Sequence, residues 1–152
     1  MRKVAVINGP NNNFYGIRNK AQYGNVMYED IVKMLKEYGE GLGFEMRFFQ
    51  SNHEGEIVDY LQQCYLDGVD GIVMNPGALT HYSYSVRDAI ESISIPTIEC
   101  HMSNNHKRDE FRQKSMTAPV CIGQVMGLGI NSFRAALTGM KLHLDDIAKT
   151  VK

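Results

Sequence analysis

Hydrophobic positions along this chain alternate between two periods. Lys3–Ile7, with Val4-Ala5-Val6-Ile7 unbroken, predicts a buried strand. Val26, Ile31, Met34, Leu35, Tyr38 and Leu42 then recur near helical spacing, and Gly39, Gly41 and Gly43 punctuate the end of that helix. Phe44–Phe49 predicts a second strand. Ser51-Asn52-His53-Glu54 has the S-x-x-E form of a capping box, before a helix with Ile57, Leu61 and Cys64 on one face. Asp70–Met74 predicts a third strand, ended by the turn signal Asn75-Pro76-Gly77-Ala78. Val86, Ala89, Ile90 and Ile93 align on a helix from Ser83 to Ile93. Ser94–Cys100 predicts a fourth strand, entered through Pro96. Lys107–Lys114 reads as a short charged helix and Val120–Met126 as a fifth strand. Phe133, Ala136, Leu137, Met140, Leu144 and Ile147 mark a C-terminal helix.

Five strands separated by helices predict an α/β domain with a parallel sheet. The 152 residues suit one such domain, and no linker or internal repeat divides them. In these folds ligands sit beyond the carboxyl ends of the strands. Attention therefore falls on the segments after Ile7, Phe49, Met74 and Cys100.

Composition narrows the function classes without naming one. Apolar residues make up 43% and charged residues 22%, ordinary for a water-soluble domain. The net charge of -1 offers no basic surface for nucleic acid, and no apolar run approaches a membrane span. The N-terminus enters a strand directly, without a signal-peptide core, so a cytoplasmic protein is expected. Cys64, Cys100 and Cys121 are odd in number and widely spaced, which suits reduced thiols.

Three strand ends carry chemistry. The first is the long Asn- and Gly-rich segment from Asn8 to Gly24, which holds Arg18 and, five positions on, Tyr23. Loops of this length are often binding loops, and a guanidinium beside a phenol favours the phenolate, a usable base. A solvated surface turn is the competing reading. The second holds Asn75, Thr80, His81 and Ser83, with Arg87 and Asp88 a turn further. The third holds Glu99, His101, Ser103 and Asn104, then Arg108 and Arg112. Period-two alternation puts Glu99 and His101 on one strand face, where a carboxylate orients an imidazole as a general acid. A polar couple that merely satisfies itself is the alternative.

Other motifs are weaker. The five histidines show no ligand spacing for a metal. Ser103-Asn104-Asn105 before the charged helix suits either an anion at a helix N-terminus or ordinary capping. Gly127-Leu128-Gly129-Ile130-Asn131-Ser132 approaches a dinucleotide fingerprint but lacks the third Gly and follows the last strand, so it reads as a tight connection. The lysines fall in exposed contexts, against a Schiff-base mechanism. A phosphate or flavin binder and a non-catalytic assembly protein are the rival functions. The first lacks a Ser/Thr-rich phosphate nest, and the second sits poorly with an intact Arg18, Tyr23, Glu99 and His101.

Five motifs, in order along nearly the whole chain, carry a resemblance. They are Ile7-Asn8-Gly9-Pro10-Asn11 with Gly16, Arg18, Tyr23 and Gly24; Gln50-Ser51-Asn52-His53-Glu54-Gly55; Asn75-Pro76-Gly77-Ala78 with Thr80-His81, Ser83 and Arg87-Asp88-Ala89; Glu99-Cys100-His101-Met102-Ser103-Asn104 with Arg108, Glu110-Phe111-Arg112 and Ser115; and Gly127-Leu128-Gly129. With them the chain resembles the type II 3-dehydroquinate dehydratases. The resemblance implies a flavodoxin-like three-layer sandwich. It implies trans elimination of water from 3-dehydroquinate, through an enolate, to 3-dehydroshikimate in the shikimate pathway. It implies no cofactor, no metal and a homododecamer built as a tetramer of trimers.

Carried over by motif position, Tyr23 would be the base, Arg18 its guanidinium partner, and Asn11 the holder of a water at the enolate. His101 would be the acid, oriented by Glu99. Asn75, Ser103 and the Met102–Ser103 backbone would hold the substrate carboxylate. His81 and Arg112 would bind ring hydroxyls, and Asp88 would reach a neighbouring subunit's site. Four positions, in three places, depart from the family pattern. Asn12 stands where an apolar residue is usual, Asn19-Lys20 replaces Glu-Pro after the Arg, and Gln113 replaces a common His. Losing the Pro frees a φ angle beside Arg18, so a looser covering loop is expected.

Overall fold

The computed structural model of the chain describes residues 1–151. Five strands form one parallel sheet: β1 (Arg2–Asn8), β2 (Phe44–Gln50), β3 (Gly71–Asn75), β4 (Thr97–His101) and β5 (Gly123–Met126). Their order is β2-β1-β3-β4-β5, the flavodoxin-like order. The helices are α1 (Lys20–Tyr23), α2 (Tyr28–Gly41), α3 (Glu54–Leu66), α4 (Tyr84–Ile93) and α5 (Ile130–Thr150).

Each face of the sheet has its own core. Val4, Val6, Val73, Ile98 and Cys100 pack under α2 and α5 with Ile31, Leu35, Phe133, Leu137 and Met140. Ala5, Ile7, Ile72 and Met74 pack under α3 and α4 with Ile57, Leu61, Val86 and Ile90. Strand residues of opposite parity therefore face opposite layers. β3 is buried throughout and carries the apolar run Ile72-Val73-Met74, β4 is equally buried but carries Thr97, Glu99 and His101, and the edge strand β5 is partly exposed. Ser83 caps α4 by accepting from the Val86 N–H, a contact worth about 1 kcal/mol.

Register brings the strand ends level. Asn8 pairs with both Gln50 and Asn75. Beyond them the β1 and β3 loops touch at two glycines. A Cβ on Gly9 would meet the Pro76 carbonyl oxygen at 2.3 Å, and one on Gly77, at φ 62°, would meet the Pro10 oxygen at 2.9 Å. Only glycine permits this approach.

Several local expectations give way. The Ser51 motif is not a capping box: α3 starts at Glu54, Ser51 Oγ accepts from the His53 N–H, and the Glu54 carboxylate accepts from Ser83 instead. Val26 lies exposed ahead of α2. β5 begins three residues late because Ala118–Val120, with Pro119, forms a 3-10 turn. Residues 107–114 are not one helix but parts of two 3-10 turns, Asn105–Lys107 and Glu110–Gln113, split by extended backbone at Arg108. Asn104 caps the first of these turns, its Oδ1 accepting from the His106 N–H, while Ser103 lies ahead of it.

Candidate active site

At the carboxyl end of the sheet a pocket enclosing about 130 Å³ is walled by Pro10–Asn12, Arg18, Tyr23, Asn75, His81, His101–Ser103, Asn105, Arg108 and Arg112. Its contributors come from the ends of β1, β3 and β4 and the segments that follow, because parallel strands deliver their last residues to one edge.

Tyr23 closes α1 over this pocket. Its hydroxyl accepts from Arg108 Nη1 at 2.5 Å and from Arg18 Nη2 at 3.4 Å. The Arg18 guanidinium also lies 4.4 Å from the Tyr23 ring centroid. Two guanidiniums, one from the β1 loop and one from beyond β4, thus bracket a single phenol oxygen. Negative charge there is compensated on both sides.

Across the pocket stands His101, the last residue of β4, with Glu99 behind it and fully buried. Glu99 Oε2 accepts from His101 Nε2 at 3.0 Å and from Gln124 Nε2, its partner in the β4–β5 register. Oε1 accepts from Thr80 and Ser115, each at 2.8 Å, and from Thr117. Burial alone would raise the Glu99 carboxyl, but the hydrogen bond and charge of His101, with those of Thr117 and Ser115, outweigh it and hold it at about 2. The carboxylate is therefore charged at neutral pH and fixes Nε2 of His101 as a donor. The other ring nitrogen, Nδ1, is left for the pocket.

The remaining wall is polar. Asn75 Nδ2 donates to the Tyr15 hydroxyl at 2.6 Å and its Oδ1 accepts from the Gly77 N–H at 3.0 Å, which fixes the amide. Burial pushes the Tyr15 phenol well above its ordinary value, so it stays neutral. His81 Nδ1 donates to the Lys114 carbonyl at 2.7 Å. Burial lowers His81 despite that carbonyl, so the ring is neutral and its Nε2 is an acceptor. Ser103 Oγ donates to Asn105 and accepts from Arg108 Nη1 at 3.3 Å. Arg112 donates to Asp109 at 3.3 Å. Among the described residues no group of three or more His, Cys, Asp or Glu is placed to hold a metal ion.

The family model for Dehydroquinase class II matches residues 2–141. The chain belongs to the class II dehydroquinase family. It is accordingly an enzyme, a hydro-lyase. It is 56% identical over 145 residues to the 3-dehydroquinate dehydratase of Caldicellulosiruptor bescii, covering 95% of this chain and 100% of that one. It is 54% identical over 139 residues to that of Clostridium acetobutylicum, covering 91% and 96%. The crystal structure of a type II dehydroquinase from Butyrivibrio crossotus superposes with a TM-score of 0.90 at 51% identity, covering 91% of this chain and 97% of that one. That likeness carries the flavodoxin-like fold for the whole sheet.

Of the residues singled out from sequence, Asn11, Arg18, Tyr23, Asn75, His81, His101, Met102, Ser103 and Arg112 line one pocket. Glu99 lies behind it. Asp88 does not join them: it is exposed on α4, outside the pocket of its own chain. Sequence reasoning assigned no role to Arg108, Tyr15, Thr117 or Gln124. Arg108 had the one available signal, a cation seven positions beyond His101. Asn12, the first departure, is buried, with Nδ2 donating to the Asn75 carbonyl at 3.1 Å and to Asn8 Oδ1 at 3.4 Å.

Proposed function

We propose that this protein dehydrates 3-dehydroquinate to 3-dehydroshikimate by trans elimination through an enolate, as a 3-dehydroquinate dehydratase of the shikimate pathway. One observation carries the reading: the Tyr23 oxygen, bracketed by Arg108 and Arg18, faces the same pocket as the His101–Glu99 couple. Removing a proton beside a ketone needs a base and a partner for the developing oxyanion. Expelling a hydroxyl at neutral pH needs an acid.

Tyr23, as phenolate between the two guanidiniums, takes the proton from the carbon beside the ketone. The C–H electron pair becomes the enolate, whose oxygen is met by a water held at Asn11. The enolate then collapses to a C=C bond as the hydroxyl leaves. His101 protonates it from Nδ1, so it departs as water, while Glu99 holds the ring from Nε2. Transfer of the Tyr23 proton back to His101 resets the site. Asn75, Ser103 and the Met102–Ser103 backbone hold the substrate carboxylate. The His81 acceptor nitrogen and Arg112 take ring hydroxyls.

Asp88 serves a neighbouring subunit's site in a homododecamer, a tetramer of trimers. Its exposure on α4 supports that reading. Residues 1–152 act as one catalytic domain in the cytoplasm. No helix among the described residues is long and apolar enough to cross a membrane.

The test is direct. Purified protein mixed with 3-dehydroquinate develops the ultraviolet absorbance of a conjugated enone; no signal at high enzyme concentration overturns the reading. Tyr23→Phe binds the same ligand yet loses turnover by ~10²- to 10⁴-fold, the usual worth of a general base. Retained turnover would remove Tyr23 from that role.

A further inference from the structure

The motif Gln50-Ser51-Asn52 ends β2, yet among the described residues the pocket wall comes only from the segments after β1, β3 and β4. The Gln50 and Asn52 side chains turn instead to the backbone of the β1 loop. The Ser51 N–H donates to the Asn8 carbonyl at 3.1 Å, extending the β1–β2 ladder by one rung. Gln50 Nε2 donates to the Gly9 carbonyl at 3.2 Å and to Asn52 Oδ1 at 3.2 Å. Asn52 Oδ1 in turn accepts from the Asn11 backbone N–H at 2.9 Å. Residues 8, 9 and 11 are therefore each tied to the end of β2.

Asn11 has an unusual backbone. Its φ of 67°, with ψ -2°, lies in the left-handed region, where Ser94 is the other non-glycine residue among those described. Such a conformation persists where neighbours hold it, and Asn is among the side chains that tolerate it. Asn11 in this conformation lines the pocket.

We infer that Asn52, braced by Gln50, is a positioning residue for Asn11: it holds the left-handed turn that points the Asn11 amide at the reacting carbonyl. The inference rests on the reading of Asn11 as the holder of the water at the enolate. Asn52 does not itself line the pocket and reaches it through the Asn11 N–H. It is exposed, so its truncation opens no cavity.

The decisive comparison is Asn52→Ala against Asn52→Asp in the full chain. Alanine removes the acceptor, whereas aspartate keeps an acceptor oxygen at the same distance from the Asn11 N–H. Turnover of 3-dehydroquinate gives kcat and KM, and hydrogen exchange by mass spectrometry over residues 8–14 gives the state of the turn. Asn52→Ala lowers kcat ~10-fold with KM within about twofold of wild type, and speeds exchange over residues 8–14. Asn52→Asp restores kcat to within about twofold. Full kcat in Asn52→Ala, a loss confined to KM, or an equal loss in Asn52→Asp overturns the inference. Wild-type protein that does not turn over 3-dehydroquinate overturns the proposed reaction instead. In that event the exchange data alone judge the clamp, and unchanged exchange in Asn52→Ala defeats it.

Discussion

Replacing Glu99 by Gln keeps the shape of the side chain and removes its charge. Glu99 accepts from five side chains, three hydroxyls on Oε1 and two nitrogens on Oε2. A glutamine can turn its oxygen toward only one set. With its oxygen on the hydroxyls, its NH2 meets the His101 and Gln124 donors. His101 then shifts its proton to Nδ1 and accepts at Nε2, and the doubly protonated acid loses its partner. At 3.0 Å and an effective dielectric near 20, one unit charge on another is worth ~5 kcal/mol. The glutamine dipole recovers part of that, so ~3 kcal/mol, or ~10²-fold in kcat, is the expected loss.

The same substitution has a stability signature with a definite sign. The folded carboxyl lies at about 2 against an ordinary 4.5, so ionised Glu99 contributes about 3 kcal/mol at neutral pH. A depressed folded value means the contribution is complete above pH 4.5 and fades as pH falls toward 2. Wild type should melt ~6–12 °C above Glu99→Gln at pH 7, and the gap should close in acid. Enone absorbance gives kcat, and thermal melts from pH 7 down to pH 2 give the gap. A variant with more than a tenth of wild-type kcat, or a melting gap that is constant with pH, refutes the reasoning.

Arg108 and Arg18 differ in distance to the Tyr23 oxygen, 2.5 against 3.4 Å, so their losses should differ. Steady-state kinetics should show Arg108→Ala costing ~10²-fold in kcat and Arg18→Ala less, and the reverse order would refute the geometric ranking. The covering loop can be restored to the family pattern by Asn19→Glu with Lys20→Pro. Lys20 is the first residue of α1, where proline is tolerated, so the double variant should raise turnover and slow proteolysis of the loop. No gain in either measurement would show that the departure leaves Arg18 undisturbed.

The middle of the sheet was legible because the buried strands β1 and β3 carry apolar runs, Val4–Ile7 and Ile72–Met74, and the helices because α4 and α5 carry apolar stripes. Glu99 and His101 were legible as neighbours because a strand repeats every two residues. What escaped was non-local. Arg108 lies 85 positions from Tyr23, and the donors on Glu99 come from residues 80, 101, 115, 117 and 124, which no period connects. The charged stretch around Arg108 misled for the same reason. It has no apolar stripe to hold one helix, and the backbone is extended at Arg108, whose guanidinium reaches Tyr23. Asn12 looked like a defect in an apolar slot, and the structure gives its amide two acceptors instead.

Tyr23 belongs to the segment after β1 that covers one side of the pocket, while Arg108 reaches it from beyond β4. Cover and base are thus one piece of chain. An inhibitor that wedges residues 18–24 upward does not need to compete for the phenol at all. It carries the phenol away from Arg108 and from the substrate, so displacing the cover is itself disarmament.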